Sequence, residues 1–254
     1  DANTTGGTNT ALGQNALGAN TTGNGNVAIG YQALIKNTTA NYNVAIGENS
    51  QFAHLTGTNN VAVGAYSLDA NESSSNNTAI GDSSLTSSTA GQNTALGYAS
   101  LTNLTTGTYN IGIGYNANSS AVDSSGQCTL GDGQISNLRC NDTSISSLSD
   151  SRDKTDVINS PYGLEFINTV RPVQFKWETR DGNVKDGSTR IGFLAQELLS
   201  ATDGNNAILD LVHDDNPDKL EAKYGNLLPI LVKAIQELSA QNAELTTRIT
   251  TLEG

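Results

Sequence analysis

Apolar residues are sparse in the first half of the chain, and they return on a fixed beat. The pattern Asn-x-Ala-aliphatic-Gly begins at Asn9, Asn26, Asn43, Asn60, Asn77 and Asn93, and again at Asn110 with Gly112 in the alanine place. Steps are 17 residues with one of 16, and a decayed copy begins at Gln127. Eight residues after most of these starts comes a second apolar residue: Leu17, Leu34, Leu68, Leu85, Leu101 and Ile135. Low-complexity disorder needs no such register, whereas a parallel β-solenoid does. Each period therefore predicts one coil with two short strands and small residues at its corners. Within "NVAIG", alternation sends Val27 and Ile29 to one face and Ala28 to the other. The β-branched pair is expected to fill the coil, and the alanine column to mark a face covered by other chains. Stretches such as 35–42 and 69–76 are expected to be loops stacked on one exposed, Asn/Thr/Ser-rich edge. Eight coils at the strand spacing of ~4.8 Å stack to roughly 38 Å.

The pattern changes at about residue 146. Residues 1–145 read as the solenoid shaft, and 146–254 as a small α+β domain with a long helix at about 224–253. Within that second half, 162–169 predicts a short helix and Phe175 to Trp177 a strand. The stretch 180–187 predicts a hairpin tip, 188–201 a strand running into a helix, and Leu209 to Val212 a further strand. In the last segment Leu228, Leu231, Ile235, Leu238, Asn242, Leu245, Ile249 and Leu252 alternate steps of three and four, a coiled-coil seam. Ile at a with Leu at d leans toward dimers, and the thin shaft calls for cover by other chains; the resemblances given below imply three, and a homotrimer is the expectation kept here.

Charge changes the picture little. The chain has 13 Lys and Arg against 25 Asp and Glu, net −12, and residues 1–149 hold only two of the basic residues, Lys36 and Arg139. Nucleic acid as a partner is excluded, because a phosphate-binding surface needs clustered cations. No stretch is long and apolar enough for membrane insertion, and with no Met and no signal peptide the chain reads as a piece of something longer. Cys128 and Cys140 form neither a disulfide framework nor a metal site; two packed thiols are expected, with a bridge between them left open. Asp214, Asn216 and Asp218 alternate as in a calcium loop, but Lys219 stands where the sharp-turn glycine belongs, so a solvated turn is expected and no metal or other cofactor. The Asn-x-Thr sites at Asn20 and Asn37 are expected by chance in so Asn/Thr-rich a sequence.

The repeats over about residues 7–133 resemble the heads of trimeric autotransporter adhesins and the related shafts of phage fibres, although the period here is slightly longer. From about 148 onward, "LSDSRDK", "RPVQFKW", "GFLAQEL" and "YGNLLPILVKAIQEL" occur in the order that resembles the intramolecular chaperone domain of endosialidases and phage tail fibres. That resemblance implies a domain that assembles as a trimer, helps the preceding β fibre to fold and then cuts itself off as a single-turnover serine endopeptidase. It also implies a Ser–Lys dyad on Ser149 and Lys154, with Asp150 following the nucleophile at the cleavage site. The chemistry suits the residue types: a desolvated lysine can lose its proton near neutral pH and then activate a serine hydroxyl.

Two bonds remain open. Attack on the preceding carbonyl closes a five-membered ring and cuts between Leu148 and Ser149. The family pattern implies a cut between Ser149 and Asp150, easier with Ser149 of a neighbouring chain or an activated water. The competing reading of the same residues is a helix N-cap or turn. His54 and His213 are the only histidines, one in the shaft and one beside an acidic turn, so a Ser-His-Asp triad is not expected. The function expected is a virion fibre fragment that attaches to a host-surface glycan or protein receptor. Its main rival is a trimeric adhesin with a permanent, non-catalytic foot. A sugar-degrading spike would need paired carboxylates in a groove, and an intracellular regulator a basic DNA-binding region; neither is present.

Overall fold

The computed structural model describes residues 2–135, 137–139, 141, 146–178 and 187–253. The chain divides into two compact units, Asp1–Ser136 and Asn137–Gly254. The first is a β-solenoid. Each coil contributes one three-residue strand: β1 (Thr10–Leu12), β2 (Val27–Ile29), β3 (Val44–Ile46), β4 (Val61–Val63), β5 (Thr78–Ile80), β6 (Thr94–Leu96), β7 (Ile111–Ile113) and β8 (Cys128–Leu130). They pair in sequence order, all parallel and in register, so Ala28 lies beside Ala45 and Ala45 beside Ala62. The repeat in the sequence is thus a ladder in space.

Two expectations about the coil are corrected. The alanines face inward: Ala28, Ala45, Ala62, Ala79 and Ala95 are fully buried, while the flanking Val, Ile and Leu point outward, with Leu12 67% and Leu96 46% exposed. The reason is width. Leu34, Leu68, Leu85 and Leu101 enter from the opposite wall and are themselves buried, so across the coil there is room for a methyl group and no more. Nor is there a second strand. Those leucines sit in the left-handed region, with φ of 50° to 53°, and turn the chain. Their N–H groups bond the next coil singly, Leu34 to the Ser50 carbonyl at 3.1 Å and Leu68 to that of Ser84 at 2.9 Å. Left-handed leucine costs roughly 1–2 kcal/mol; full burial of each side chain contributes about 1.5–3 kcal/mol and offsets it.

Polar ladders close the coil. The motif asparagines from Asn26 to Asn110 are buried and bond in two directions. The Asn43 Oδ1 accepts from the Asn60 backbone N–H at 3.0 Å, that of Asn60 from Asn77 at 2.9 Å, and that of Asn77 from Asn93 at 3.0 Å. Their Nδ2 groups donate to carbonyls of the turn ahead, Asn43 to Gly57 and Asn60 to Ser74, both at 2.9 Å. A second ladder runs through Asn20, Asn37, His54 and Asn71, all buried, so the stretches 35–42 and 69–76 expected as stacked exposed loops are turns with exposed residues that each also send an asparagine into the coil wall. Asn20 and Asn37 are accordingly enclosed, not presented as modification sites. The glycine ending each motif is required where coils touch: Gly64 has φ +134°, and a Cβ there would stand 2.5 Å from the Gly81 carbonyl carbon.

In the second unit, α1 (Leu164–Ile167) is followed by the antiparallel pair β9 (Val173–Lys176) and β10 (Thr189–Gly192). Then come α2 (Ala195–Ala201), α3 (Asn206–Leu209), the short pair β11 (Val212–His213) and β12 (Glu221–Ala222), and α4 (Leu227–Glu253). The strand expected at Leu209–Val212 comes later and shorter: Leu209 ends α3, and only Val212 of that stretch is in a strand, β11. Asp210 is left-handed at φ 47°, and the Asn206 side chain bonds both the N–H and the carbonyl of Val212, at 3.1 and 2.8 Å. That side chain occupies the place of a strand partner. Phe166, Leu198, Leu211, Val212, Leu227 and Ile230 form the core. The helix α4 gives this core Leu227 and Ile230, whereas its heptad seam is open, with Ile235, Leu245 and Leu252 exposed. Glu237 on α4 accepts from the Leu164 N–H at 2.7 Å, and that bond holds its carboxyl below the usual range. Cys128 on β8 is exposed, not packed; Cys140 lies outside the described residues, as does most of the expected hairpin tip at 180–187.

Candidate active site

Ser149 and Lys154 are brought together by one turn. Asp150 is extended, and its Oδ1 accepts from the Arg152 N–H at 2.9 Å, which starts a 3₁₀ turn over Ser151–Asp153. The Asp153 N–H donates to the Asp150 carbonyl at 3.2 Å and the Lys154 N–H to that of Ser151 at 3.3 Å. The chain reverses, and Lys154 Nζ donates to Ser149 Oγ at 2.5 Å. The N-cap reading and the dyad spacing therefore coexist: Asp150 caps the turn that sets the serine against the lysine. Arg152 Nη2 lies 2.5 Å from Asp150 Oδ2, and this pairing, then the N–H cap, holds the Asp150 carboxyl below its ordinary pKa.

Among the described residues of one chain, nothing covers this arrangement. Ser149, Asp150 and Lys154 are all exposed, and so are their apolar neighbours Leu148, Val157 and Ile158. A lysine becomes a general base only when burial disfavours its charge. As it stands, the amine donates its hydrogen bond; for proton abstraction the direction must reverse.

The other sequence candidates lie elsewhere. The Asn216 carbonyl accepts from Lys219 N–H at 2.9 Å and its Oδ1 from Asp218 N–H at 3.1 Å, which are the bonds of a turn. His213 Nε2 is 3.0 Å from Asp215 Oδ1. Sequence reasoning did not find a cleft of about 990 Å³ lined by Phe175, Trp177, Phe193, Leu220 and Tyr224. Its only sequence signal is the alternation of Phe175 on β9 with Trp177 just after it.

His54 is a structural residue with a pH signature. It takes an asparagine's place in the second ladder, with Nε2 2.8 Å from the Gly57 carbonyl and Nδ1 3.3 Å from that of Asn71. Burial lowers its pKa below 6.5, against the raising pull of those carbonyls. The unfolded chain thus binds a proton below about pH 6.5 that the folded coil resists. Stability from His54 is present above that pH and falls as pH drops toward the folded pKa, by at most about 1.4 kcal/mol per pH unit. His54→Asn, matching Asn37 and Asn71, should flatten this part of the curve when thermal melting is compared between about pH 7.5 and 5.5. An unchanged slope in the variant would remove His54 as its source.

Comparison with known proteins adds one match. Residues 149–206 fit the family model described as chaperone of endosialidase, so the matched segment starts at Ser149 itself and ends before α4. No curated protein and no solved structure matches the chain. Among the described residues no helix is long and apolar enough to cross a membrane. Residues 149–206 match the chaperone-of-endosialidase family, and with the β-solenoid ahead of them the chain fits a tail-fibre protein carrying a chaperone domain on the C-terminal side of its shaft.

Proposed function

We propose that the chain is part of a phage fibre in which three copies assemble, the second unit aligns and folds their solenoids, and cleavage at Ser149 then releases it. The observation that carries this reading is the family match, which starts at Ser149 on the C-terminal side of the solenoid. A ladder of near-identical coils pairs one rung out of step at little cost. A second unit that meets its copies first sets the level of the rungs and removes most of the search. Cutting afterwards leaves the assembled shaft without its route back, a gain in kinetic stability.

In the proposed chemistry, Ser149 Oγ of a neighbouring copy attacks the Ser149 carbonyl carbon. Lys154, neutral once enclosed, takes the hydroxyl proton and passes it to the leaving Asp150 nitrogen as the peptide bond breaks; water then hydrolyses the ester. The released shaft, with its polar walls and exposed tyrosines, would meet a host-surface glycan or protein as part of the virion. A permanent, non-catalytic foot is the second reading, favoured by the exposure of both Ser149 and Lys154. The test of the chaperone reading is assembly of residues 1–145 expressed alone beside the full chain. The expected result is a slower yield of trimer by sedimentation and a mixture of aggregates; equal speed and uniform trimers from residues 1–145 would end it.

A further inference from the structure

Between Leu17 and Leu101 the inner leucine column of the solenoid is broken once. Leu17, Leu34, Leu68, Leu85 and Leu101 turn their coils at left-handed corners, and in the third coil, residues 43–59, the same corner is Gln51, at φ 51°. Gln51 is as fully buried as Leu34 and Leu68. Its backbone keeps the place of a leucine, with the N–H donating to the Ser67 carbonyl at 2.9 Å. Its side chain is less well provided for. Nε2 donates to the Val44 carbonyl at 2.9 Å, while no group donates to Oε1. Among the described residues, the enclosed side-chain nitrogen and oxygen atoms without a hydrogen-bond partner are Asn49 Oδ1 and Gln51 Oε1, both in this coil. His54, which stands in for an asparagine of the second ladder, belongs to it as well.

At the leucine corners, burial of an aliphatic side chain offsets the left-handed backbone. At Gln51 the backbone cost is the same. The amide gives up its water and recovers only part of its bonding, so the oxygen left over adds a penalty where leucine supplies a gain. Geometry does not force the choice, because leucine has nearly the same volume and serves the same corner in the neighbouring coils.

We infer that the third coil is a yield point built into the shaft, a rung that opens locally at lower cost than those above and below it. The solenoid can then bend or part at this rung without unravelling from its ends. In a stack whose stability is nearly a sum of rungs and nearest-neighbour contacts, the least satisfied rung decides where opening starts.

Amide exchange in the full-length chain at about pH 7.5 reads this rung by rung. Opening the third coil frees the Gln51 N–H and also the Leu34 N–H, which donates to the Ser50 carbonyl; the Leu68 and Leu85 amides donate to Ser84 and Ser100, in coils beyond it. The expected result is exchange at Gln51 and Leu34 at least about 5-fold faster than at Leu68 and Leu85. Gln51→Leu should slow the amides at positions 34 and 51 by about 5- to 100-fold, the worth of one unpaired buried acceptor, and leave Leu17 and Leu85 unchanged. Val44 remains in the β3–β4 ladder when it loses the Gln51 amide. Gln51→Leu combined with Leu68→Gln should move the weak rung one coil on, so that position 34 keeps its gained protection and position 68 loses its own. If that double variant does not fold, the wild-type profile and the single variant decide the question. Protection that climbs evenly from Leu17 to Leu85 in the wild type, or rates in Gln51→Leu that match the wild type, would overturn the yield point.

Discussion

Ser149→Ala should leave the chain in one piece, whereas the wild type should separate into a shaft fragment and a second fragment that intact mass is expected to show beginning at Asp150. Removing the nucleophile takes away the only hydroxyl that Lys154 bonds in the described structure. Lys154→Ala should slow the cut by at least about 10²–10⁴-fold, the usual worth of a positioned general base. Lys154→Arg separates base from cation: a guanidinium keeps the charge but stays protonated, so it should be as inert as alanine. Cleavage that survives in the arginine variant would make Lys154 a positioning cation and leave the proton without its proposed acceptor. Because both side chains are exposed in one chain, dilution matters too. Tagged Ser149→Ala chains mixed with wild type before assembly should be cut at the same bond, just before Asp150, when a neighbour supplies the hydroxyl, since the attacked carbonyl is still present. Uncut tagged chains in proven mixed trimers would place the attack within one chain. A second fragment of the wild type beginning at Ser149 would mean the five-membered route.

How much of this was legible in the sequence differs from residue to residue. The positions of Asn60, Ala62 and Gly64 in a repeat announce a stacked coil, because identical rungs need identical residues. Alternation along Val61-Ala62-Val63 gives two faces but does not say which is narrow. That depends on Leu68 arriving from the far wall, a contact that local periodicity does not encode, and so the inside and the outside were exchanged. Leu68 itself reads as a strand residue by propensity and is a left-handed corner, because inter-coil bonding and burial outweigh its backbone preference. The heptad on α4 was legible for the opposite reason: its three-four spacing is a property of one helix. At the site, the five-residue separation of Ser149 and Lys154 is in the sequence. The turn that closes it depends on Asp150 accepting from the Arg152 N–H, and among the described residues of one chain nothing buries the pair.

The shaft should be most sensitive at its asparagines. Asn60→Ala removes the Oδ1 that accepts from the Asn77 N–H, and that amide is fully enclosed, with the coil walls on every side. It also takes a donor from the Ser74 carbonyl, which keeps its bond from Asn71 Nδ2 at 3.0 Å, so the orphaned amide dominates the loss. A buried unpaired N–H costs about 1–3 kcal/mol, and the space left by the amide group adds to it, so roughly 2–4 kcal/mol per chain is expected. Asn24→Ala, at an exposed asparagine of the turn wall, should stay within about 0.5 kcal/mol. Urea unfolding followed by far-ultraviolet circular dichroism measures both, and amide exchange identifies the cause: the Asn77 N–H should lose protection ahead of its neighbours Thr78 and Ala79. Equal sensitivity of Asn60→Ala and Asn24→Ala would mean that the coils are held by their apolar column alone. That outcome would be hard to reconcile with an interior one leucine and one methyl group wide, where the backbone has no water to turn to and every rung depends on the amide of the rung before it.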